Sequence, residues 1–195
     1  NTLINWRFLG VPAVVLACLA AVTLTVPVTA QDQVERGTPY GEWRYQSADA
    51  WGTRYSPLDQ IDENNFGDLE VAWVWRGDNF GPTVDNILRS TPIYAEGKLF
   101  GVAGARRTVV AMDPATGETT WVYRALDDGA GRPRGGPTRG VGYWHDPERD
   151  DERIFIASGE HLVALDAKTG QPLPEFGAGG KVNLRVGVPR LEEFR

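Results

Sequence analysis

This sequence predicts an all-β, turn-rich fold, and three observations lead there. Twenty-three glycines and thirteen prolines punctuate the chain, a density that marks frequent turns rather than long helices. Between the turns lie short runs of β-branched and aromatic residues, the composition that suits a pleated, half-buried surface. One stretch also recurs: Val110-Ala-Met-Asp-Pro-Ala-Thr-Gly117 aligns with Val163-Ala-Leu-Asp-Ala-Lys-Thr-Gly170. Such self-similarity is the signature of a repeat architecture, in which each unit buries its faces only against neighbours. The expectation is therefore a β-propeller with Trp-type repeats, of which this sequence covers about two blades.

The elements follow in chain order. Arg7 precedes a predominantly apolar run from Phe8 to Val28, which ends at Ala30 before polar Gln31-Asp32. A weakly basic start, an apolar centre and a small residue at the break read as a secretory leader cleaved after Ala30. The run is also long enough to span a bilayer, so residues 1–30 are a signal peptide or a membrane anchor. Cys18 is the only cysteine, so a processed chain forms no internal disulfide.

Residues 31–75 form an N-terminal segment, polar and aromatic as far as Asn65, with turn signals at Thr38-Pro39 and Ser56-Pro57. Glu70-Val-Ala-Trp-Val-Trp75 reads as its first strand. Residues 76–195 carry the two blades, the second truncated. In the first, the strands are 92–95, 98–103, 108–112 and 119–123. Ala95-Glu-Gly-Lys98 is a hairpin in which Gly97 supplies the positive φ. In the second, 140–144 and 153–157 precede the repeat.

The shared Asp-x-x-Thr-Gly has a mechanical role. Asp113 and Asp166 are expected to accept backbone N–H groups in Asx-type turns, with Gly117 and Gly170 left-handed. The first turn delivers Trp121, which is expected to pack against the neighbouring blade, with Trp144 a second candidate for that role. Pro174 takes the tryptophan's place in the second copy, so that outer strand is expected to be irregular. Propellers need at least four blades, so the sequence is expected to belong to a larger chain.

Charge and motif searches exclude several function classes. A net charge of −6 offers no basic footprint for nucleic acid or anionic lipid. The glycines of Gly129–Gly136 have the wrong spacing for a dinucleotide fingerprint, and Pro133 interrupts them. Gly180-Lys181 is followed by Val182 rather than a hydroxyl residue, so it is no P-loop. His145 and His161 lack metal-ligand spacing and read as structural or exposed.

Two further segments resemble a known family. Gly41-Glu-Trp-Arg-Tyr-Gln-Ser-Ala-Asp-Ala-Trp-Gly-Thr-Arg-Tyr-Ser-Pro-Leu-Asp-Gln-Ile61, with Asn64, Leu69 and Ala72-Trp73 after it, resembles the N-terminus of quinoprotein dehydrogenases. Arg139-Gly-Val-Gly-Tyr-Trp144 is similar to their Arg-Gly-x-x-Tyr-Trp segment. With the two Asp-x-x-Thr-Gly turns, the likeness runs from Gly41 to Gly180. It implies an eight-bladed propeller that holds pyrroloquinoline quinone near its axis with a calcium ion. The glucose-oxidising, membrane-associated branch looks nearer, since the alcohol-oxidising branch carries an adjacent-cysteine disulfide that is missing from this sequence.

Residue by residue, the resemblance implies that Arg139 contacts the cofactor, a tricarboxylate that a guanidinium can pair with bidentately. Arg132 and Arg134 read as solvated loop residues. Where relatives place a cofactor-contacting glutamate three residues before a proline, this chain has Arg89 before Pro92. Arg89 either pairs with a quinone carboxylate or faces elsewhere. The implied reaction removes a hydride from a sugar or alcohol carbon, with calcium as Lewis acid and an aspartate as base. Base and calcium ligands are expected beyond Arg195, so no catalytic or metal-binding residue is assigned, and this segment alone is expected to be inactive. The implied partners are the substrate and a quinone or cytochrome electron acceptor, with no nucleic acid. The implied location is the periplasm, with attachment to the inner membrane open. The rival reading is a non-enzymatic exported propeller, a scaffold or sensor, which would lack the later aspartate and calcium-ligand cluster.

Overall fold

The computed structural model describes residues 38–78, 80, 89–104, 108–124 and 139–188. Residues 1–30, the 129–136 loop, Arg132 and Arg134 therefore lie outside the described residues. Eight strands among the described residues form two four-stranded antiparallel sheets. The first comprises β1 (Ile93–Ala95), β2 (Lys98–Ala103), β3 (Thr108–Met112) and β4 (Thr119–Arg124), and the second β5 (Gly142–Asp146), β6 (Asp151–Ser158), β7 (His161–Asp166) and β8 (Lys181–Asn183). Each is a meander in chain order, the pattern of a propeller blade. The strand limits expected from composition hold to within about two residues.

Turn chemistry sets the register. Glu96 and Gly97 both take positive φ, at 45° and 71°, so β1 and β2 join through a two-residue loop that pairs Ala95 with Lys98. This is the mirror-image turn whose twist matches that of the flanking strands. Between β3 and β4, Asp113 Oδ1 accepts from the amides of Ala115 (2.7 Å) and Thr116 (3.0 Å). Between β7 and β8, Asp166 Oδ1 accepts in the same way from Lys168 (2.9 Å) and Thr169 (2.7 Å). Gly117 and Gly170 close the turns at φ 73° and 71°, as the repeat predicts.

The main core lies between the sheets. Ile93, Phe100, Val109 and Ala111 of the first pack with Tyr143, Ile154, Ile156, Val163 and Leu165 of the second. All of β3 is buried, because its alternate residues Val110 and Met112 face a second cluster with Trp75 and Phe80. The first sheet is thus covered on both faces, by the second sheet and by the incoming N-terminal segment.

Three expectations need comment. Glu70–Trp75 is extended but belongs to no sheet among the described residues, since a strand exists only where another pairs with it. Trp144 does not pack between the sheets: it is 43% exposed and lies beneath the Arg153 guanidinium. The interior place on β5 goes to its neighbour Tyr143, because adjacent strand residues point to opposite faces. The outer strand of the second sheet is broken as expected, with Pro172 bridging to Leu165 before β8 pairs with the start of β7.

Candidate cofactor-binding site

The two arginines singled out from sequence occupy equivalent places. Arg89 lies just before β1 and Arg139 just before β5, the first strands of their sheets. These strands run side by side, because contacts join them at both ends. The Thr91 amide donates to the Arg139 carbonyl at 3.4 Å, and at the far end His145 Nδ1 lies 3.4 Å from Glu96 Oε1.

Gly140 explains why a glycine follows Arg139. Its φ is 135°, and a Cβ there would stand 3.2 Å from the Thr91 carbonyl and 3.4 Å from Ser90 Oγ. Only glycine combines that backbone with so close an approach. Pro92 assists, since it holds Thr91 extended as the chain enters β1. The Arg-Gly pair thereby sits against Arg89-Ser90-Thr91, two stretches far apart in the sequence.

The chemistry of this corner is cationic. Arg89 and Arg139 are both exposed, and among the described residues no carboxylate forms an ion pair with either. Arg44, Arg76, Arg149, Arg153 and Arg185 all have acidic partners. The Ser90 hydroxyl, which faces Gly140, is buried without a hydrogen-bond partner among the described residues, an arrangement that costs energy unless a ligand or water completes it. Two arginine-bearing segments that meet at an unsatisfied hydroxyl suit an anion, so these residue types fit one end of an anionic cofactor. For a cation the described residues offer no group of three or more His, Cys, Asp or Glu side chains.

Sequence reasoning assigned no role to a second polar cluster, at the opposite ends of β1 and β5. Trp43 pairs with Tyr94 through two backbone hydrogen bonds, which places Glu42 and Arg44 on one side of that short ladder. Arg44 binds Glu42 and, at 2.7 Å, Glu96, and it lies over the Tyr143 ring. The Tyr143 hydroxyl reaches Glu152 at 3.4 Å, and burial with the Glu152 charge pushes its phenol well above the usual range. The alternation Glu-Trp-Arg-Tyr over 42–45 was the legible signal, since a period of two puts both charges on one face.

Comparison with known proteins decides which propeller this is. Residues 43–195 match the family described as PQQ (pyrroloquinoline quinone) glucose/ethanol/alcohol dehydrogenase, beta-propeller domain. The chain belongs to this quinoprotein dehydrogenase family. It is 31% identical over 157 residues to the glycerol dehydrogenase large subunit of Gluconobacter thailandicus, covering 76% of this chain and 21% of that protein. It is 30% identical over 187 residues to quinoprotein glucose dehydrogenase A of Acinetobacter calcoaceticus, covering 84% of this chain and 22% of the relative. The crystal structure of the quinohemoprotein alcohol dehydrogenase from Comamonas testosteroni superposes with a TM-score of 0.52 at 27% identity, covering 73% of this chain and 21% of that one. The chain thus spans about a fifth of the length of these relatives. Its two sheets are blades of a quinoprotein propeller.

Proposed function

We propose that the complete protein oxidises a sugar or alcohol with pyrroloquinoline quinone, in the manner of a glucose dehydrogenase, in the periplasm. Arg139 and Arg89 hold carboxylates of the cofactor in this reading. The observation that carries it is the juncture of Arg139-Gly140 with Arg89-Ser90-Thr91, at the start of the first strand of each blade. When bound, the quinone supplies the two-electron acceptor that side chains lack. The chain's own part is to bind and orient: guanidiniums stay charged at any working pH and their fork matches a carboxylate. The base and calcium ligands that the resemblance implies belong to other blades, so the segments around Arg89 and Arg139 serve as a binding wall rather than a reaction centre. Electrons leave to a quinone or cytochrome acceptor.

Cofactor titration and dye-linked glucose and alcohol oxidation by the complete protein test this reading. A charge-assisted contact contributes about 1.5–3 kcal/mol, so Arg139→Ala should weaken cofactor affinity roughly 10- to 150-fold. Arg139→Lys should restore part of the loss, because a point charge lacks the fork. Arg89→Ala should weaken affinity in the same direction. Unchanged affinity in Arg139→Ala removes that residue from the site, and unchanged affinity in Arg89→Ala leaves Arg139 alone there.

A further inference from the structure

The two sheets converge along their first strands and spread toward their last. At β1 and β5 they meet backbone to backbone, the Thr91 amide reaching the Arg139 carbonyl. At β4 a whole indole is needed to bridge them, with the Trp121 N–H on the Ala167 carbonyl at 3.1 Å. Blades that fan out in this way share a hub on the far side of their first strands, and in a propeller the hub is a channel. One edge of β1 is taken by β2, so the other faces that hub.

A short piece of chain occupies this edge. The Trp43 amide donates to the Tyr94 carbonyl at 2.8 Å, and the Tyr94 amide donates to the Trp43 carbonyl at 3.0 Å. The chain turns in at Gly41, at φ 77°, with the Leu58 side chain packed where a Cβ would stand. It turns back at Ala48, which takes a left-handed backbone at φ 77° and exchanges backbone hydrogen bonds with Tyr45 at 3.2 and 3.3 Å. A strand that crossed the hub would run on, whereas this one is held to a stub. Glu42 accepts from the Glu96 amide at 2.9 Å, and Arg44 joins Glu42 to Glu96 and covers Tyr143. The stub is thus fastened to both blades at once. Its Trp43 indole N–H is buried with no acceptor among the described residues.

We infer that Glu42–Arg44 plugs the channel of the propeller at the end remote from Arg89 and Arg139. Tyr94 lies five residues beyond Arg89, which at about 3.3 Å per residue is roughly 16 Å along the strand. The acceptor for the Trp43 N–H comes from the blades that enclose the rest of the hub, since a buried donor is paired in a complete fold. Whatever binds along the hub then enters past the arginines, with water kept out behind it. The plug stands on the course of β1 and holds whether or not the arginines carry the cofactor.

Hydroxyl-radical footprinting of the complete protein tests it, with the urea-unfolded protein as reference. A side chain reached only by local opening reacts slowly, so Trp43 and Tyr94 should be oxidised about 10-fold or more slowly than in the reference. Trp43→Gly empties the plug and should speed Tyr94 oxidation about 3-fold or more. Phe100, in the core between the sheets, should stay protected in that variant. Trp43→Phe keeps a ring in place and should leave Tyr94 near wild type. If Phe100 loses its protection too, Trp43→Gly has unfolded and the wild-type pattern alone decides. Trp43 reacting at the unfolded rate in the wild type overturns the inference, because the edge of β1 then faces open solvent. So does Tyr94 unchanged by Trp43→Gly, because another part of the protein then closes that end.

Discussion

Trp121 shows how one residue couples two blades. Its ring covers Gly170, contacts Phe100 at 5.9 Å between centroids and sends its N–H to the Ala167 carbonyl. Truncation removes the ring's packing and leaves that carbonyl short of a donor. Trp121→Ala should cost the complete protein about 3 kcal/mol, the low end for an aromatic truncation because the ring is only half buried. Trp121→Phe keeps most of the packing and should lose about 1 kcal/mol, the net worth of one hydrogen bond. Denaturant melts give both values. A loss in Trp121→Ala within ~0.5 kcal/mol of zero would mean the contact does not hold the blades together.

Turns build each blade, and two glycines separate what a turn demands from what a neighbour demands. Gly97 and Gly170 share the same φ of 71°. Among the described residues nothing lies within 4 Å of a Cβ added to Gly97, whereas Gly170 meets Trp121 at 2.5 Å. Gly97→Ala should therefore cost only the left-handed backbone penalty, about 1–2 kcal/mol. Gly170→Ala should cost that plus about 1–3 kcal/mol more, since a rigid indole must move. Thermal melts of the two variants check the difference. Equal losses would mean that Trp121 shifts freely and that the inter-blade contact is loose.

Across the whole molecule, the cluster around Arg44 ties the N-terminal segment to both blades. Arg44 reaches Glu96 at the end of β1 and covers Tyr143 of β5. Tyr143 reports on this junction. Burial first, then the Glu152 charge, raises its phenol, and the Arg44 charge opposes them. A raised folded-state value means the neutral phenol favours the fold. That stability is present in full below the ordinary phenol range near ~10 and is lost as pH climbs above it. An ultraviolet titration should show a late ionisation step above the ordinary phenol range, coincident with alkaline unfolding. Tyr143→Phe should remove the late step, and Glu152→Gln should bring it down. Absence of that late step would mean this junction is open to water.

Much of the fold was legible in the sequence because its causes are local. An Asp-x-x-Thr-Gly turn is set by a carboxylate reaching amides two and three residues on and by a glycine at positive φ, all within six residues. The strands between the turns follow from β-branched runs for the same reason. Trp121 was readable as an inter-blade residue, since a large aromatic ring on a strand of a repeat has to be covered by something. Its partner was not readable, because Gly170 and Ala167 reach it only when the second sheet stacks on the first. Likewise, sequence marked Arg139 through its motif and left Arg89 open. Only the parallel course of β1 and β5 puts their segments in contact, and only then does Gly140 gain its reason. Trp144 and Tyr143 went the other way: both were aromatic and adjacent, and only stacking decided which one faced inward. Glu70–Trp75 marks the boundary between the two kinds of information. Its residues determine an extended backbone by themselves, but a sheet needs hydrogen bonds from another strand, and those are supplied by tertiary structure alone.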